Sequence, residues 1–242
     1  MLVLGPTYGI FLNVVFYLPL LIWLWKAPYG PRFRAGAAPA QRAVRGLADI
    51  VQTIRDIAAN RPIVTATSLA GITAFFVGNA YQAQMPGFAH DLGHGDPGLS
   101  YFLLLAADAC GAVVAGIVLE SMSLLRPNGR TALLLAMAWA FAIGTFAMVH
   151  VYPLALAVLF VAGMFELSFN SMAQTLVQMN APAAIRGRVL GLFNMAALGM
   201  RAFSGITVGL VGSLVGIHTS LAVAALAVLL CTAALCVRYR QA

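Results

Sequence analysis

The chain has 242 residues, of which 62% are apolar and only 9% charged, with a formal net charge of +7 and a mean hydropathy of +0.91. That composition leaves too little polar surface to cover a water-soluble globule, so it excludes a soluble domain and requires an integral membrane protein. The basic residues sit in the gaps between apolar runs and are not interleaved with aromatics on one face, so the positive charge reports topology rather than nucleic-acid binding.

Seven apolar runs of membrane-spanning length lie at about 6–26, 62–86, 98–120, 130–150, 152–178, 188–214 and 217–237. The expected fold is all-α, a polytopic membrane helix bundle with seven transmembrane helices. The first run lacks a basic leading region, is too long for the apolar part of a signal peptide, and continues through Trp23, Trp25 and Lys26, which read as an interfacial anchor. It therefore stands as a first transmembrane helix within residues 1–27. Residues 28–61 read as a cytoplasmic linker that begins with the Pro/Gly/Ala stretch Pro28 to Pro39. From Gln41 to Asn60, Val44, Leu47, Ile50, Val51, Ile54 and Ile57 recur at helical spacing opposite Arg45, Asp49, Gln52 and Asp56. That pattern predicts an amphipathic helix against the membrane or the bundle, acting as a plain linker or as a regulatory or partner-binding element. Residues 62–242 hold the remaining six runs.

The gaps alternate in charge along the chain. Lys26, Arg32, Arg34, Arg42, Arg45, Arg55 and Arg61 follow the first run, Arg126 and Arg130 the third, Arg186 and Arg188 the fifth, and Arg238 and Arg240 the last. The gaps around His90 to Asp96, around His150 and from Gly212 to His218 hold no Lys or Arg. By the positive-inside rule the basic gaps and the C-terminus are cytoplasmic and the N-terminus faces out, in a multi-pass protein of the cell membrane, the bacterial inner membrane. In the outer gap, His90, Asp91, His94 and Asp96 invite a metal reading, but the Gly/Pro-rich HDLGHGDPG does not hold ligands in helical register, and a solvated turn is the expectation. Cys110, Cys231 and Cys236 fall inside apolar runs and form no disulfide or zinc pattern. No phosphate loop, nucleophile elbow or zincin motif occurs, so neither a metal, a cofactor nor catalysis is expected.

Three charges fall midway along the runs, where each costs about 2.5–3.5 kcal/mol on insertion scales and must face protein or water. Asp108 lies midway along the third run, Glu166 midway along the fifth and Arg201 midway along the sixth. Comparable depths let them meet near the bilayer midplane, either lining an aqueous substrate or proton pathway or pairing across helices for structure alone. Asn170 and Gln174 follow Glu166 at helical spacing, Asn194 precedes Arg201 by two turns, and Asn79 and Gln82 extend the set from the second run. The fourth and seventh runs lack such groups and are expected to face lipid. Gly187-x-x-x-Gly191 and Gly205-x-x-x-Gly209, continued by Ser213, predict a face where a second backbone packs closely or slides, and Ala112-x-x-x-Gly116 repeats the pattern on the third run.

The stretch Gln178 to Gly216, with Ala181-Pro182 and Arg186-Gly187-Arg188-Val189 followed by Gly191, resembles the cytoplasmic loop and following helix of major facilitator superfamily transporters, in the branch of the enterobactin exporter and related efflux proteins. The likeness extends over the chain. GPTYGIFLNVVFYLPLL is similar to the sixth family helix, the segment ending Asn60-Arg61-Pro62 to the link between lobes, and the other six runs to helices seven to twelve, the C-terminal lobe. ESMSLLRPNGR keeps only Gly129-Arg130 of the basic signature usual between helices eight and nine. The resemblance implies a two-lobed carrier that rocks about a central site, powered by an ion gradient, with Asp108, Glu166 and Arg201 near the cavity. It implies the C-terminal half of a secondary active, proton-coupled efflux transporter for small organic molecules, siderophore-like or drug-like, and no enzyme. With one lobe and a spare helix the chain is expected not to transport alone, being a fragment, the partner of a separately encoded first half, or self-associated. The competing expectation is a non-transporting scaffold or remnant of a truncated transporter. The expected partners are the lipid bilayer, a small-molecule substrate, and a missing N-terminal lobe or second copy, without nucleic acid.

Overall fold

In a computed structural model, which describes residues 5–27, 47–93, 99–122 and 127–241, six stretches are long and apolar enough to cross a membrane. They run over Arg61–Ala83, Leu99–Leu119, Gly129–Met148, Tyr152–Asn180, Arg186–Val215 and Ile217–Tyr239. The first run forms α1, Gly5–Lys26, which is not among those six stretches; its apolar part is the shorter Val14–Lys26. By its contacts α1 belongs to a unit separate from residues 46–242. The Pro/Gly/Ala stretch, with Arg32, Arg34, Arg42 and Arg45, and the loop residues His94, Asp96 and Arg126 lie outside the described residues.

The second unit begins with α2, Leu47–Ile57, the amphipathic helix expected there. It is followed by α3 (Arg61–Phe76), α4 (Ala80–Ala83), α5 (Met85–Asp91), α6 (Leu99–Met122), α7 (Gly129–Met148) and α8 (Tyr152–Asn180). The sixth run breaks into α9 (Arg186–Asn194), α10 (Arg201–Ser204) and α11 (Val211–Val215), joined by π-helical turns at Met195–Gly199 and Gly205–Leu210, before α12 (Ile217–Gln241). Thr53 and Ile57 are buried where α2 meets α9, while Val51 and Ile54 stay about half exposed at 46% and 47%, an apolar edge suited to the membrane surface.

Helix α8 is the hub, packing on α6, α7 and α3, and α12 closes the other side of α7. The fourth run, expected to face lipid, is packed by α8 and by α12 over part of its surface. Half of α7's window is buried inside the protein, the largest share of the six spans, and only a strip with Leu134, Phe141 and Met148 is exposed. The third and sixth runs are the open ones, with 22% and 17% of their windows buried. At the centre, Trp139, Tyr81, Phe88, Phe146 and Phe169 are fully enclosed, and Trp139 leans on Phe169 with ring centroids 5.3 Å apart. Lipid is as apolar as these side chains, so such packing contributes by dispersion and fit rather than by dehydration.

Helix ends are fixed by polar side chains at both faces of the bundle. Asn60 caps α3 by accepting from the Ile63 N–H, Pro62 occupies its first turn, and Asn128 caps α7 by accepting from the Arg130 N–H. Asn60 Nδ2 also donates to the Asn180 carbonyl at 3.2 Å, tying α3 to the end of α8, and the Tyr239 ring of α12 covers Gly129. This is the end that carries Arg61, Arg130, Arg186, Arg188 and Arg238. At the other end, His94 to Gly98 of the outer gap lie outside the described residues, and His90 and Asp91 are exposed at the end of α5. Met85–Asp91 is helical, Phe88 is buried, and His218 at the start of α12 contacts Asp91 Oδ2 at 3.4 Å through Nε2 and the Ala147 carbonyl at 2.8 Å through Nδ1.

Close backbone approach occurs where the sixth-run glycines did not place it. A Cβ built at Gly187, Gly191, Gly205 or Gly209 meets nothing within 4 Å, so these positions pack against nothing among the described residues. The α9–α11 stretch instead buries Val189, Phe193, Ser204, Val208 and Gly212, which turns the glycine stripe away from the bundle. The tight pair is α6 with α8. A Cβ at Gly111 would strike the Phe160 carbonyl, and one at Gly163 would strike the Asp108 carbonyl and come within 3.1 Å of Asp108 Oδ1. Gly163→Ala is expected to destabilise the detergent-purified protein by about 1–3 kcal/mol, the usual cost of overpacking, seen as a lower thermal unfolding midpoint. Gly205→Ala, in open space, is expected to change it by less than about 0.5 kcal/mol.

Candidate functional site at mid-span

The site begins at a break in the second run. Val77 ends α3 and Gly78 takes φ +47, a left-handed conformation in which a Cβ would lie 2.6 Å from Ser204 Oγ and 2.7 Å from the Ala74 carbonyl. The chain then restarts as the single turn α4, which carries Tyr81 and Gln82 into the bundle. Where α3 stops, Thr207 Oγ1 donates to the Phe76 carbonyl at 2.8 Å and so meets part of the hydrogen-bonding need left by the break.

Because Gly163 lets α6 lie on α8, Asp108 and Glu166 approach the same hydroxyl. Tyr81 is fully buried, and its Oη lies 2.9 Å from Glu166 Oε2 and 3.2 Å from Asp108 Oδ2. Gln82 Nε2 donates to Asp108 Oδ2 at 3.2 Å and to Tyr81 Oη at 3.3 Å, and Asn79 Nδ2 holds the Gln82 carbonyl at 3.0 Å. Asp108 is 7% exposed, and its Oδ1 has no hydrogen-bond partner among the described residues. Four residues expected from the sequence, Asn79, Gln82, Asp108 and Glu166, thus form one cluster.

Two clefts meet at Glu166 and Asn170. One is walled by Gln82, Asp108, Glu166 and Asn170 with Leu105 and Leu167 among its apolar residues. The other, a crevice with room for about one water, lies between Glu166, Asn170, Arg201, Trp139, Phe169 and Thr73. Arg201 does not pair across helices as one reading of the sequence had it. Its Nε donates to the Ala197 carbonyl one turn back at 3.1 Å, and no carboxylate comes within 4 Å of it among the described residues.

Asn194 does not join the cluster. Seven residues bring a helix round almost to the same face, so Asn194 and Arg201 would align on a continuous α-helix. The π turn at Met195–Gly199 accommodates an extra residue, about 100° of rotation, and leaves Asn194 exposed while Arg201 reaches the cleft. Gln174 is exposed as well. Arg186, Gly187 and Arg188 open α9 at the basic end of the bundle, away from mid-span, with Arg186 and Gly187 exposed.

Sequence reasoning missed Tyr81 and Trp139. Trp139 is 1% exposed, its Nε1 has no partner among the described residues, and it walls the smaller cleft. Read alone, either aromatic is ordinary core. The available signal was Gly78-Asn79 inside an apolar run, a dipeptide that breaks a helix and re-aims the residues after it.

Six membrane-crossing helices, two of them interrupted and with ionisable side chains gathered on clefts beside the interruptions, define a membrane carrier. Residues 1–241 match the family described as transmembrane secretion effector, of the major facilitator type, and the chain belongs to that family of transporters. No curated protein and no solved structure matches the chain.

Removing the acceptor shared by Tyr81 and Gln82 tests the cluster's cohesion. Asp108→Ala leaves buried donors without a partner and is expected to cost about 1–3 kcal/mol of stability, read as a lower unfolding midpoint in detergent. Asp108→Asn keeps an acceptor oxygen and is expected to lose less.

Proposed function

We propose that the chain works as the C-terminal lobe of a proton-coupled efflux transporter for small organic molecules. In this reading residues 62–242 are the lobe, residues 1–27 correspond to the family's sixth helix, and residues 28–61 link the lobes. The observation that carries it is the pair Asp108 and Glu166, held by one tyrosine hydroxyl on spans that cross the membrane and lining a cleft with Gln82 and Asn170. Buried ion pairs are a costly route to stability, and here the carboxylates are not even paired with Arg201. An Asp oxygen without a partner, buried against Gly163, offers a place for a proton. Arg201 and Trp139 Nε1 supply donors on the other side of Glu166.

Alternating access needs two bundles about one site, so the second wall of the cavity comes from a first lobe, encoded with this one or separately, or from a second copy. The gathering of Arg61, Arg130, Arg186, Arg188 and Arg238 at one end of the bundle supports a cytoplasmic placement for that end and for the C-terminus, in a bacterial inner membrane. The likeness around Arg186-Gly187-Arg188 supports the enterobactin-exporter branch, with siderophore-like or drug-like cargo.

The test uses everted membrane vesicles from cells carrying the gene with its native upstream sequence, energised by respiration and offered ethidium, Hoechst-type dyes and a catecholate siderophore. Proton-driven accumulation of at least one compound is expected, and Asp108→Asn or Glu166→Gln is expected to lower it about 5- to 150-fold, the range of a coupling free energy of about 1–3 kcal/mol. Residues 1–242 expressed alone are expected to give none. If both substitutions reduce stability but leave accumulation unchanged at matched protein level, the charges only hold the bundle together and the scaffold reading replaces the transporter.

A further inference from the structure

We propose that Tyr81 is a positioning residue that holds one proton in common between Asp108 and Glu166 and passes it from one to the other. The inference rests on the transporter reading above for its use, but its basis is a count of hydrogens. Three oxygens stand in a row, Glu166 Oε2, Tyr81 Oη and Asp108 Oδ2, with gaps of 2.9 Å and 3.2 Å. A tyrosine hydroxyl has one hydrogen to donate and an ionised carboxylate has none. If both carboxylates are ionised, only one of the two contacts is a hydrogen bond and the other sets oxygen against oxygen inside a buried site, an arrangement that costs free energy.

One added proton satisfies the whole row. Carried by Glu166, it is donated to Tyr81 Oη while Tyr81 donates its own hydrogen to Asp108 Oδ2. Carried by Asp108, it is donated to Tyr81 Oη while Tyr81 donates to Glu166 Oε2. Gln82 fits both states, because its two Nε2 hydrogens point to Asp108 Oδ2 at 3.2 Å and Tyr81 Oη at 3.3 Å. In the first state the Tyr81 oxygen accepts from Glu166 and Gln82 and donates to Asp108, which fills its bonding capacity. The change between states moves one proton from Glu166 to Tyr81 Oη as Tyr81's proton moves to Asp108. One O–H bond breaks and one forms at each step, and Tyr81 is neutral before and after.

The ends of the row differ in what they face. Glu166 walls both clefts, including the one that holds Arg201, whereas Asp108 walls only the larger one. The charged and titratable groups around the row are Arg201 across the smaller cleft and the three members themselves, with Gln82 and Asn170 as neutral polar neighbours. Tyr81 therefore joins a cleft shared with a guanidinium to one whose charged lining residues are the two carboxylates.

Infrared spectroscopy of the full chain in liposomes at neutral pH reads the proton directly through the C=O stretch of a protonated carboxyl. The wild type is expected to show one such band, and both Asp108→Asn and Glu166→Gln to abolish it, since either change leaves a single carboxylate fully bonded by Tyr81. Tyr81→Phe, which keeps the buried ring, is expected to retain the band and shift it to higher frequency as the carboxyl loses its hydrogen-bond partner. A band that disappears with only one of the two carboxyl substitutions assigns the proton to that residue alone and overturns the proposal. Absence of a band in the wild type, or a Tyr81→Phe spectrum identical to it, does the same. The dye measurements above stand apart from this result: a shared band without transport ends the transporter reading and leaves the shared proton in place, and transport without a shared band does the reverse.

Discussion

The α6–α8 contact governs the middle of this protein. Gly111 and Gly163 allow the two backbones to touch, and no residue with a Cβ fits at either place without moving a carbonyl group. That contact sets how far Asp108 stands from Glu166 and makes a single hydroxyl long enough to bridge them. In lipid there is no solvent to meet a stray polar group, so the two carboxylates require their partners from within the bundle. Tyr81 and Gln82 serve as those partners only because α3 stops at Phe76 and the chain restarts after Gly78. The glycine contact and the glycine break are thus two halves of one arrangement.

Interrupting a membrane helix exposes backbone groups, and the interruptions here are answered by side chains from neighbouring elements. Thr207 donates to the Phe76 carbonyl at the end of α3, with the Phe75 carbonyl 3.1 Å from the same hydroxyl. Val208, inside the second π turn, presents its carbonyl to Gln84 Nε2 at 3.1 Å and to Ser220 Oγ at 3.0 Å. The break in the second run and the π turns of the sixth therefore lie against each other and supply each other's hydrogen bonds, which is how irregular backbone is tolerated at membrane depth.

Legibility in the sequence depended on which physical effect carried the signal. Apolar run length and the placement of Lys and Arg depend on the bilayer alone, and the spans from Arg61 to Tyr239 and the single basic end appear as they imply. The cost of burying charge likewise singled out Asp108 and Glu166 before any contact was known. Glycine spacing left two outcomes open, because a small-xxx-small pattern says that a backbone can approach and not whether one within the same bundle does. Gly205 and Gly209 sit in open space, while the true contact pairs Gly111 with Phe160 and Gly163 with Asp108, one glycine per helix and no repeat to notice. Asn194 failed through helical phase, since a π turn adds a residue that period counting assumes away. Tyr81 was illegible because its role depends on two other helices reaching the same point.

The polar ties described at the two ends of the bundle have a mechanical consequence. Asn60 with Asn180 and Tyr239 over Gly129 fasten the basic end, and His218 with Asp91 and Ala147 fastens the other. Between them the second and sixth runs are cut at mid-span and lie side by side. A beam clamped at both ends and notched near its centre flexes at the notch and keeps its ends square. Strain applied to this bundle accordingly concentrates around Gly78 and Arg201, within reach of the carboxylates, while the tied helix ends stay in place.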